Sequence, residues 1–277
     1  MEAILLEETT MKLTGQVAVV TGGARGLGRS YALRLAELGA DVVVVDINLA
    51  AAAEFGEKLS AATVSCEVQA LGRNSIGVEA DLTDRQQVQA MVEKVLVEYG
   101  RIDILVNNAG GALTPADRSA ASESPEEDTR FLMDLNYMNA VFCCQAVAPV
   151  MKKQESGIIV NTSAQSAITT YKGGKLSAYG ASKAAVTTFT RYLAAELGPF
   201  GIRANCISPG VMMTSRVAAK AAERSVGTAE EMEKIPLRRF GVAEDCTNVL
   251  EFLVTDLSRY VTGQVISVCG GAVLTPH

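Results

Sequence analysis

Thr21-Gly22-Gly23-Ala24-Arg25-Gly26-Leu27-Gly28 is the stretch of sequence that decides the fold. It follows the apolar run 17–20, which is typical of a strand, and it leads into a helical pattern over 28–38. Glycines allow the sharp turn between the two elements and let the helix pack close to the sheet. The N–H groups and the dipole at such a helix start favour a diphosphate. The stretch therefore predicts the first strand–turn–helix unit of a dinucleotide-binding domain.

Short β-branched runs continue to alternate with longer amphipathic stretches along the rest of the chain. Seven strands are predicted, at Val17–Thr21, Asp41–Asp46, Ser75–Glu79, Ile104–Asn107, Gly157–Thr162, 203–208 and 264–268. Six helices are predicted, at 28–38, 49–69, Arg85–Tyr99, 126–153, 179–197 and 243–253. We therefore expect an α/β fold: a single doubly wound Rossmann-type domain, in which a parallel sheet of about seven strands has helices on both faces.

Length and composition limit the number of domains and the classes of partner that the chain is expected to have. The 277 residues are 48% hydrophobic, which is enough for one α/β domain over 13–277 after an N-terminal extension over 1–12. Two stretches, 111–130 and 211–235, are predicted to be substrate loops over the strand ends. The formal net charge of −6 disfavours nucleic acid and anionic membranes as partners, and no apolar run is long enough to span a bilayer.

Cysteine and histidine usage excludes several kinds of chemistry. The six cysteines contain no C-x-x-C pair, so they are interpreted as reduced thiols of a cytoplasmic protein. The first ten residues have neither a basic start nor an apolar core, and so do not resemble a secretory signal. The only histidine is His277, which argues against Ser-His-Asp catalysis, Cys-His catalysis and a histidine-built zinc site.

Tyr179 and Lys183 are the strongest candidates for catalysis. They stand four residues apart in a predicted helix, so both side chains lie on the same helix face. A lysine cation beside a tyrosine favours the phenolate and lowers the pKa of the phenol, which suits a general acid/base near neutral pH. The pair therefore predicts a proton-transfer centre.

Residues at the strand ends suggest how a dinucleotide would be held. Asp46 ends the second strand, where a carboxylate can accept ribose hydroxyl groups and repel a 2′-phosphate. Arg25 in the glycine-rich turn could instead bind a phosphate, but we expect the carboxylate to dominate and NAD to be preferred. Asp81 could accept a bond from adenine, while Asp84 or Thr83 caps the next helix. Small residues in Asn107-Asn108-Ala109-Gly110 let the backbone approach a ligand.

Four of these motifs, in this order, resemble those of the short-chain dehydrogenase/reductase family: 21–28, 107–110, 179–183 and Pro209-Gly210. The likeness runs from about Leu13 to Leu274 and is greatest to the compact single-domain branch, which includes NAD-dependent secondary alcohol dehydrogenases and 3-oxoacyl-carrier-protein reductases. The resemblance implies hydride transfer between a nicotinamide and a CH–OH group, with no metal, in a homotetramer.

The family tetrad implies roles for particular residues. Tyr179 would be the acid/base, Lys183 would lower its pKa and hold the nicotinamide ribose, and Asn136 would kink its helix and hold a relay water. Asn136 could instead only satisfy backbone groups. The family serine corresponds to Ser163 by strand position or to Ser166 by its spacing from Tyr179, and Ser163 is preferred. Where relatives commonly have a second serine, this chain has Ala164.

The expected function is that of an NAD(H)-dependent oxidoreductase acting on a mostly apolar secondary alcohol or ketone. The apolar character is inferred from Leu113, Met212, Met213 and Val217 in the two loops. The alternatives are an NADPH-dependent 3-oxoacyl-carrier-protein or carbonyl reductase, and a non-catalytic dinucleotide-binding scaffold. The expected cofactor contacts are Gly22, Arg25, Gly26, Leu27, Gly28, Asp46, Asp81, Leu82, Asn108, Ala109, Gly110, Tyr179, Lys183, Pro209, Gly210 and Thr214.

Overall fold

A computed structural model describes residues 12–219 and 227–274. Seven strands form one sheet in the order β3-β2-β1-β4-β5-β6-β7, and every neighbouring pair is parallel. The strands are β1 Val17–Thr21, β2 Asp41–Asp46, β3 Ser75–Glu79, β4 Ile104–Asn107, β5 Gly157–Thr162, β6 Ile202–Pro209 and β7 Val265–Val268. The predicted fold class is confirmed, and only the last two strands differ, by a residue at one or both ends, from their predicted bounds.

Helices cover both faces of this sheet. They are α1 Gly26–Glu37, α2 Val64–Ala70, α3 Arg85–Tyr99, α4 Glu126–Met133, α5 Asn139–Gln154, α6 Ser177–Leu197, α7 Ser215–Ala219, α8 Ala229–Glu233 and α9 Ala243–Val254. Successive residues of a strand point to opposite faces of the sheet and therefore pack into two separate hydrophobic cores. Val43 and Val45 pack with α3, α5 and α6, whereas Val42 and Val44 pack with α1, α2 and α9.

The predicted helix over 49–69 is wrong. The structure has a 3₁₀ turn at Ala53–Phe55, a left-handed Gly56 with φ 63°, and a helix only from Val64, which is capped by the Thr63 side chain. Alanines at 50–53 favour a helix by propensity, but contacts between this segment and the glycine-rich turn override that preference. The segment matters below because it lies against the dinucleotide-binding turn.

The predicted helix over 126–153 is interrupted. Between α4 and α5 the chain forms a π-helical turn, Asp134–Met138, with Asn136 buried inside it. Single π turns of this kind are frequent at functional sites. The other predicted helices, 28–38, 179–197 and 243–253, differ from the observed ones by one or two residues at their ends, which is the usual uncertainty of helix boundaries.

The strand order determines where a ligand can bind. The chain leaves β1 for β2 on one side and returns through β4 on the other, so a crevice opens between β1 and β4 at the carboxyl ends of the strands. Residues 1–11 of the predicted N-terminal extension and 220–226 of the second predicted loop lie outside the described residues. In the ranges that are described, no helix is long and apolar enough to cross a membrane.

Candidate active site

A cleft of ≈ 950 Å³ lies at the carboxyl edge of the sheet. Nearly all of the predicted site residues line it: Gly22, Arg25, Gly26, Leu27, Asp46, Asp81, Leu82, Asn108, Ala109, Gly110, Ser163, Tyr179, Lys183, Pro209, Gly210 and Thr214. The other two lie behind the wall, because Gly28 packs on Gly22 and Asn136 bonds to Gly111. The cleft thus brings together residues from six strand ends, from the start of α6 and from the segment before α7.

The glycine-rich turn is packed too closely for side chains. Gly22 has φ 62°, and a Cβ built on it would lie 2.8 Å from the Cα of Ala109. A Cβ at Gly28 would overlap the carbonyl oxygen of Gly22. The Thr21 hydroxyl accepts hydrogen bonds from the backbone N–H groups of Asn108 (3.0 Å) and Ala109 (3.1 Å), which joins the turn to the β4 loop. Glycine is therefore required here by backbone angle and by close approach.

Asp46 connects the end of β2 to the same turn. Its carboxylate accepts the N–H groups of Ala24 (3.1 Å) and Asn48 (3.2 Å). Burial raises the pKa of Asp46 above its usual value, against the opposing effect of these hydrogen bonds and of the Arg25 charge. Arg25 lies near this carboxylate, with its guanidinium 4.7 Å from the centre of the Phe55 ring. A carboxylate and a cation therefore share one corner of the cleft.

Lys183 is buried one helical turn after Tyr179 in α6, with only 4% of its surface exposed. Its Nζ donates to the carbonyl oxygen of Thr162 at 2.8 Å, which fixes the amine at the end of β5. The pKa of Lys183 is lowered to about 8, chiefly by burial; Cys206 opposes this shift and the Arg216 charge adds to it. The amine thus lies one helical turn from Tyr179 in α6, with a pKa below that of an exposed lysine.

Asn136 is held by the backbone on the far side of the Gly110–Gly111 loop. Its Oδ1 accepts from Gly111 N at 2.8 Å, and its Nδ2 donates to Gly111 O (3.1 Å) and Leu132 O (3.0 Å). The last bond spans the start of the π turn, so the side chain stabilises the helix break as well as the loop beside the cleft. This places Asn136 where it can orient the loop, and its role in proton relay stays a prediction.

The two candidate serines have different surroundings. Ser163 is 2% exposed, and its hydroxyl donates to Lys183 O (2.9 Å) and lies 3.0 Å from the Thr187 hydroxyl. The Ser166 hydroxyl is buried and has no hydrogen-bond partner among the described residues. Ala164 and Gln165, which separate the two serines in the sequence, line the cleft together with Ser163. We keep Ser163 as the predicted donor because it borders the cleft. To donate to a substrate, its hydroxyl must first break its hydrogen bond to the Lys183 carbonyl oxygen of α6.

Ser163→Ala is expected to lower kcat by roughly 10²-fold, since a lost donor to a developing oxyanion has about this effect. Ser166→Ala is expected to change kcat by less than about twofold. Steady-state kinetics of both variants, with thermal unfolding as the check on folding, decide the assignment. A larger loss in Ser166→Ala would move the role to that residue, and two near-normal variants would mean that neither hydroxyl reaches the substrate.

Some residues of the site were missed from the sequence. Thr162 contributes only its backbone carbonyl, which leaves no signal in the residue type. Arg216 lines the cleft from α7, and a Cβ on Gly111 would lie 2.9 Å from its Nη1. Gln165 also lines the cleft, and its Nε2 lies 3.3 Å from the Tyr171 hydroxyl. Both of these polar residues are in short helical turns after strand ends, which are too brief for hydrophobic periodicity to indicate direction.

The cleft has the features that a dinucleotide requires. Gly26 has φ 57°, and a Cβ there would point towards Thr214, 3.7 Å from its methyl group, and so into the gap between the turn and the α7 segment. Helix α1 begins at Gly26, and the Glu57 carboxylate, instead of the Arg25 side chain, accepts the Gly26 N–H, so the positive end of this helix already holds an anionic group. The carboxylate of Asp46 lies at the expected ribose end. These residues fit a diphosphate and two ribose groups.

Comparison with known proteins agrees with this geometry. The family described as Enoyl-(Acyl carrier protein) reductase, a group of short-chain dehydrogenases/reductases, matches residues 21–273. The chain belongs to the short-chain dehydrogenase/reductase family. This confirms the resemblance drawn from the glycine turn, the Tyr179–Lys183 pair and the motifs between them, and it makes the protein an oxidoreductase.

Three similar proteins illustrate the breadth of the family. Cyclohexanol dehydrogenase of Rhodococcus sp. (strain TK6) is 42% identical, covering 94% of this chain and 97% of its own. The 3-oxoacyl-(acyl-carrier-protein) reductase FabG of Thermotoga maritima is 37% identical, with coverages of 95% and 100%. The crystal structure of NAD⁺-bound xylitol dehydrogenase superposes with a TM-score of 0.83 at 29% identity, covering 94% of this short-chain dehydrogenase/reductase and 100% of that chain.

Proposed function

We propose that this oxidoreductase interconverts mostly apolar secondary alcohols and ketones with NAD(H) as cofactor. The observation that carries the proposal is the Tyr179–Lys183 pair in the cleft that Asp46 also lines. A bound nicotinamide supplies hydride transfer. Tyr179 takes the hydroxyl proton when the alcohol is oxidised and returns it when the ketone is reduced. Ser163 donates to the substrate oxygen, and Asn136 holds the Gly110–Gly111 loop beside the reacting atoms.

Lys183 has two tasks in this mechanism. As a cation it favours the phenolate form of Tyr179, which makes the tyrosine a base at a pH where a free phenol is protonated. Its bond to Thr162 O keeps the amine at the end of β5, so the charge stays on the tyrosine side of the cleft. Its burial excludes competing water, which strengthens the effect of the cation on the tyrosine.

The proposed preference for NAD rests on Asp46. A carboxylate at the end of β2 can accept both hydroxyl groups of an adenosine ribose, and it repels the dianionic 2′-phosphate of NADP. Two of its oxygen contacts are already backbone N–H groups, so its position is fixed before any ligand binds. The NAD⁺-bound xylitol dehydrogenase relative supports the same choice by analogy.

The substrate proposal rests on the loops and on one relative. Leu113, Met212 and Val217 line the cleft from the two predicted substrate loops, and they offer an apolar surface to a ring or chain. Cyclohexanol dehydrogenase, at 42% identity, acts by its name on a small apolar secondary alcohol. Cyclohexanol is therefore the first compound to test.

The second candidate is an NADPH-dependent 3-oxoacyl-carrier-protein or carbonyl reductase. Arg25 in the cleft and the 37% identical FabG relative favour it. The net charge of −6 opposes it, since an acidic carrier protein requires a basic docking surface. A non-catalytic scaffold is the least favoured reading, because Tyr179, Lys183 and Asn136 are all present.

Two further proposals concern assembly and location. We propose a homotetramer, supported by the aromatic face that Phe189 and the 72% exposed Tyr192 of α6 form with Tyr137 of the π turn. We propose a cytoplasmic enzyme, supported by its six cysteines, all free. The single domain over 13–277 remains a proposal of the same kind.

Asp46→Asn is the variant that tests the cofactor proposal. It removes the charge but keeps an acceptor oxygen, so the preference for NADH over NADPH is expected to fall by about tenfold or more when the repulsion is lost. Calorimetric titration with NADH and NADPH measures this ratio directly. Asp84→Asn is the control, because Asp84 is the exposed cap of α3 and undergoes the same charge change.

Binding of NADPH in preference to NADH by the unmodified protein would contradict the proposal and favour the NADPH-dependent reductase instead. Binding of neither dinucleotide would favour the scaffold. Equal effects of Asp46→Asn and Asp84→Asn would mean that the preference follows overall charge instead of a contact at the end of β2.

A further inference from the structure

The segment 47–63, between β2 and α2, packs against the glycine-rich turn through two of its side chains. Phe55 places its ring under the Arg25 guanidinium at 4.7 Å. Glu57 accepts the Gly26 N–H with both carboxylate oxygens, at 2.9 and 3.2 Å. These two contacts reach adjacent residues of the turn, and we call the segment 47–63 the clasp. Phe55 and Glu57 are absent from the family motifs that predicted the site.

Glu57 is anchored by a second layer of charges. Arg29, one turn into α1, bonds Glu57 at 3.3 Å and pairs with Glu67 of α2 through two bonds of 2.7 and 2.8 Å. Glu67 is 2% exposed and also accepts the N–H and hydroxyl of Ser60. A bidentate, largely buried arginine–carboxylate pair is a rigid connection. The clasp is thus fixed to α1 at one end and to α2 at the other.

Arg25 contacts this anchored clasp through its side chain. Its guanidinium stacks on Phe55, and its charge acts on the neighbouring Asp46 carboxylate. The other arginine of the turn region, Arg29, is already paired with two carboxylates. Around this corner of the cleft three carboxylates, Asp46, Glu57 and Glu67, face two arginines, so the local balance is negative. A dianionic 2′-phosphate would meet a net negative corner in which Arg29 is paired with carboxylates and Arg25 is stacked on Phe55.

We propose that Phe55 and Glu57 are positioning residues that select against a cofactor 2′-phosphate, by holding Arg25 and Gly26 of the glycine-rich turn in place. The inference rests on the proposed NAD(H) function and deepens it. Asp46 supplies the repulsion, and the clasp prevents Arg25 from turning to offset that repulsion. Neither Phe55 nor Glu57 lines the described part of the cleft, so both act through the turn.

The experiment measures, by calorimetry, the dissociation constant of NADPH divided by that of NADH, which is called the ratio below. Thermal unfolding of each variant is a separate readout. Phe55→Leu keeps apolar bulk but removes the aromatic face, and it is expected to lower the ratio about three- to tenfold. Phe55→Tyr keeps the face and is expected to leave the ratio unchanged. Glu57→Ala, which loses the Gly26 and Arg29 bonds, is expected to lower the ratio similarly.

Two controls separate selection from general stability. In an Arg25→Ala background, Phe55→Leu is expected to have no further effect on the ratio, because Phe55 acts through Arg25. Glu54→Ala removes an exposed carboxylate of the same segment, whose bond is to Asn48, and is expected to leave the ratio unchanged. A merely structural clasp would lower the unfolding temperature of Phe55→Leu and weaken both dinucleotides equally.

An unchanged or increased ratio in Phe55→Leu would overturn the inference, as would an equal effect in the presence and absence of Arg25. Either result would leave the proposed function intact, provided that the unmodified protein prefers NADH and that Asp46→Asn reduces this preference. A preference of the unmodified protein for NADPH would instead overturn the proposed function, and this inference with it.

Discussion

Tyr179→Phe is expected to lower kcat for alcohol oxidation by about 10³-fold or more. The change removes the one oxygen proposed to carry the hydroxyl proton, and general acid–base catalysis contributes up to about 10⁴-fold. The ring is kept, so packing at the start of α6 and the affinity for NADH are expected to change little. Steady-state kinetics and a calorimetric NADH titration on the same preparation measure the two effects.

The control for this variant is Tyr192→Phe in the same helix, where the side chain is 72% exposed. It loses the same oxygen outside the cleft and is expected to keep at least about half of the activity. If Tyr179→Phe retained a tenth of the kcat while binding NADH normally, another group would have to move the proton. The proposed mechanism would then be wrong even if the family and the cofactor were right.

Lys183→Met is expected to lower kcat by about 10²- to 10³-fold near neutral pH. An opposite charge within a few ångströms lowers a pKa by about one to three units, so loss of the cation raises the pKa of the Tyr179 phenol by a similar amount. The activity that remains should therefore increase at alkaline pH, where the phenol ionises without help. A pH–rate profile of kcat for the variant and the unmodified enzyme measures the shift.

The lowered pKa of Lys183 also leads to a prediction about how the free energy of unfolding depends on pH. Burial lowers that pKa from 10.5 to about 8, so the unfolded chain binds more protons than the folded one between these two values. The contribution of this group to the free energy of unfolding therefore rises from about pH 8 to pH 10.5 and is lost as the pH falls through 8. Buried cysteines with raised pKa values act in the opposite direction in the same window, so the measurement is the difference in free energy of unfolding between the unmodified protein and Lys183→Met. Denaturant unfolding at several pH values should show this difference shifting in favour of the unmodified protein between pH 8 and 10.5.

Lys183→Arg is the matched control for charge, since it keeps a cation but not the shape that reaches Thr162 O. It is expected to retain more activity than Lys183→Met and to show a smaller alkaline shift. An unshifted profile in Lys183→Met, with kcat lowered, would assign the lysine to cofactor binding alone.

Features with a local cause could be predicted from the sequence. The strands were predictable because runs such as the four valines of β2 are buried on both faces, and their spacing indicated a doubly wound parallel sheet, although not the order of its strands. The glycine-rich turn and the Tyr179–Lys183 pair were predictable for a different reason. Their chemistry depends on residue types at fixed short spacings, which a sequence displays directly.

Features with a distant cause could not be predicted. The segment 49–63 contains good helix formers, but Glu57 accepts a hydrogen bond from a turn some 30 residues earlier and Phe55 stacks on the same turn, and these contacts decide its shape. The π turn around Asn136 depends on bonds to Gly111, 25 residues away. The hydrogen bonds of the Ser163 hydroxyl and of the Thr162 carbonyl could not be predicted either, since residue type does not specify where an atom points.

Turnover by the unmodified enzyme is the most direct test of the proposed function. We would follow NADH formation spectrophotometrically with cyclohexanol and NAD⁺, in parallel with NADP⁺ and with a primary alcohol of the same size. The account predicts NADH formation from cyclohexanol, a clear preference for NAD⁺ over NADP⁺, and ketone reduction in the reverse assay. Preferred turnover with NADP⁺, or none with any apolar secondary alcohol while NADH still binds, would contradict it.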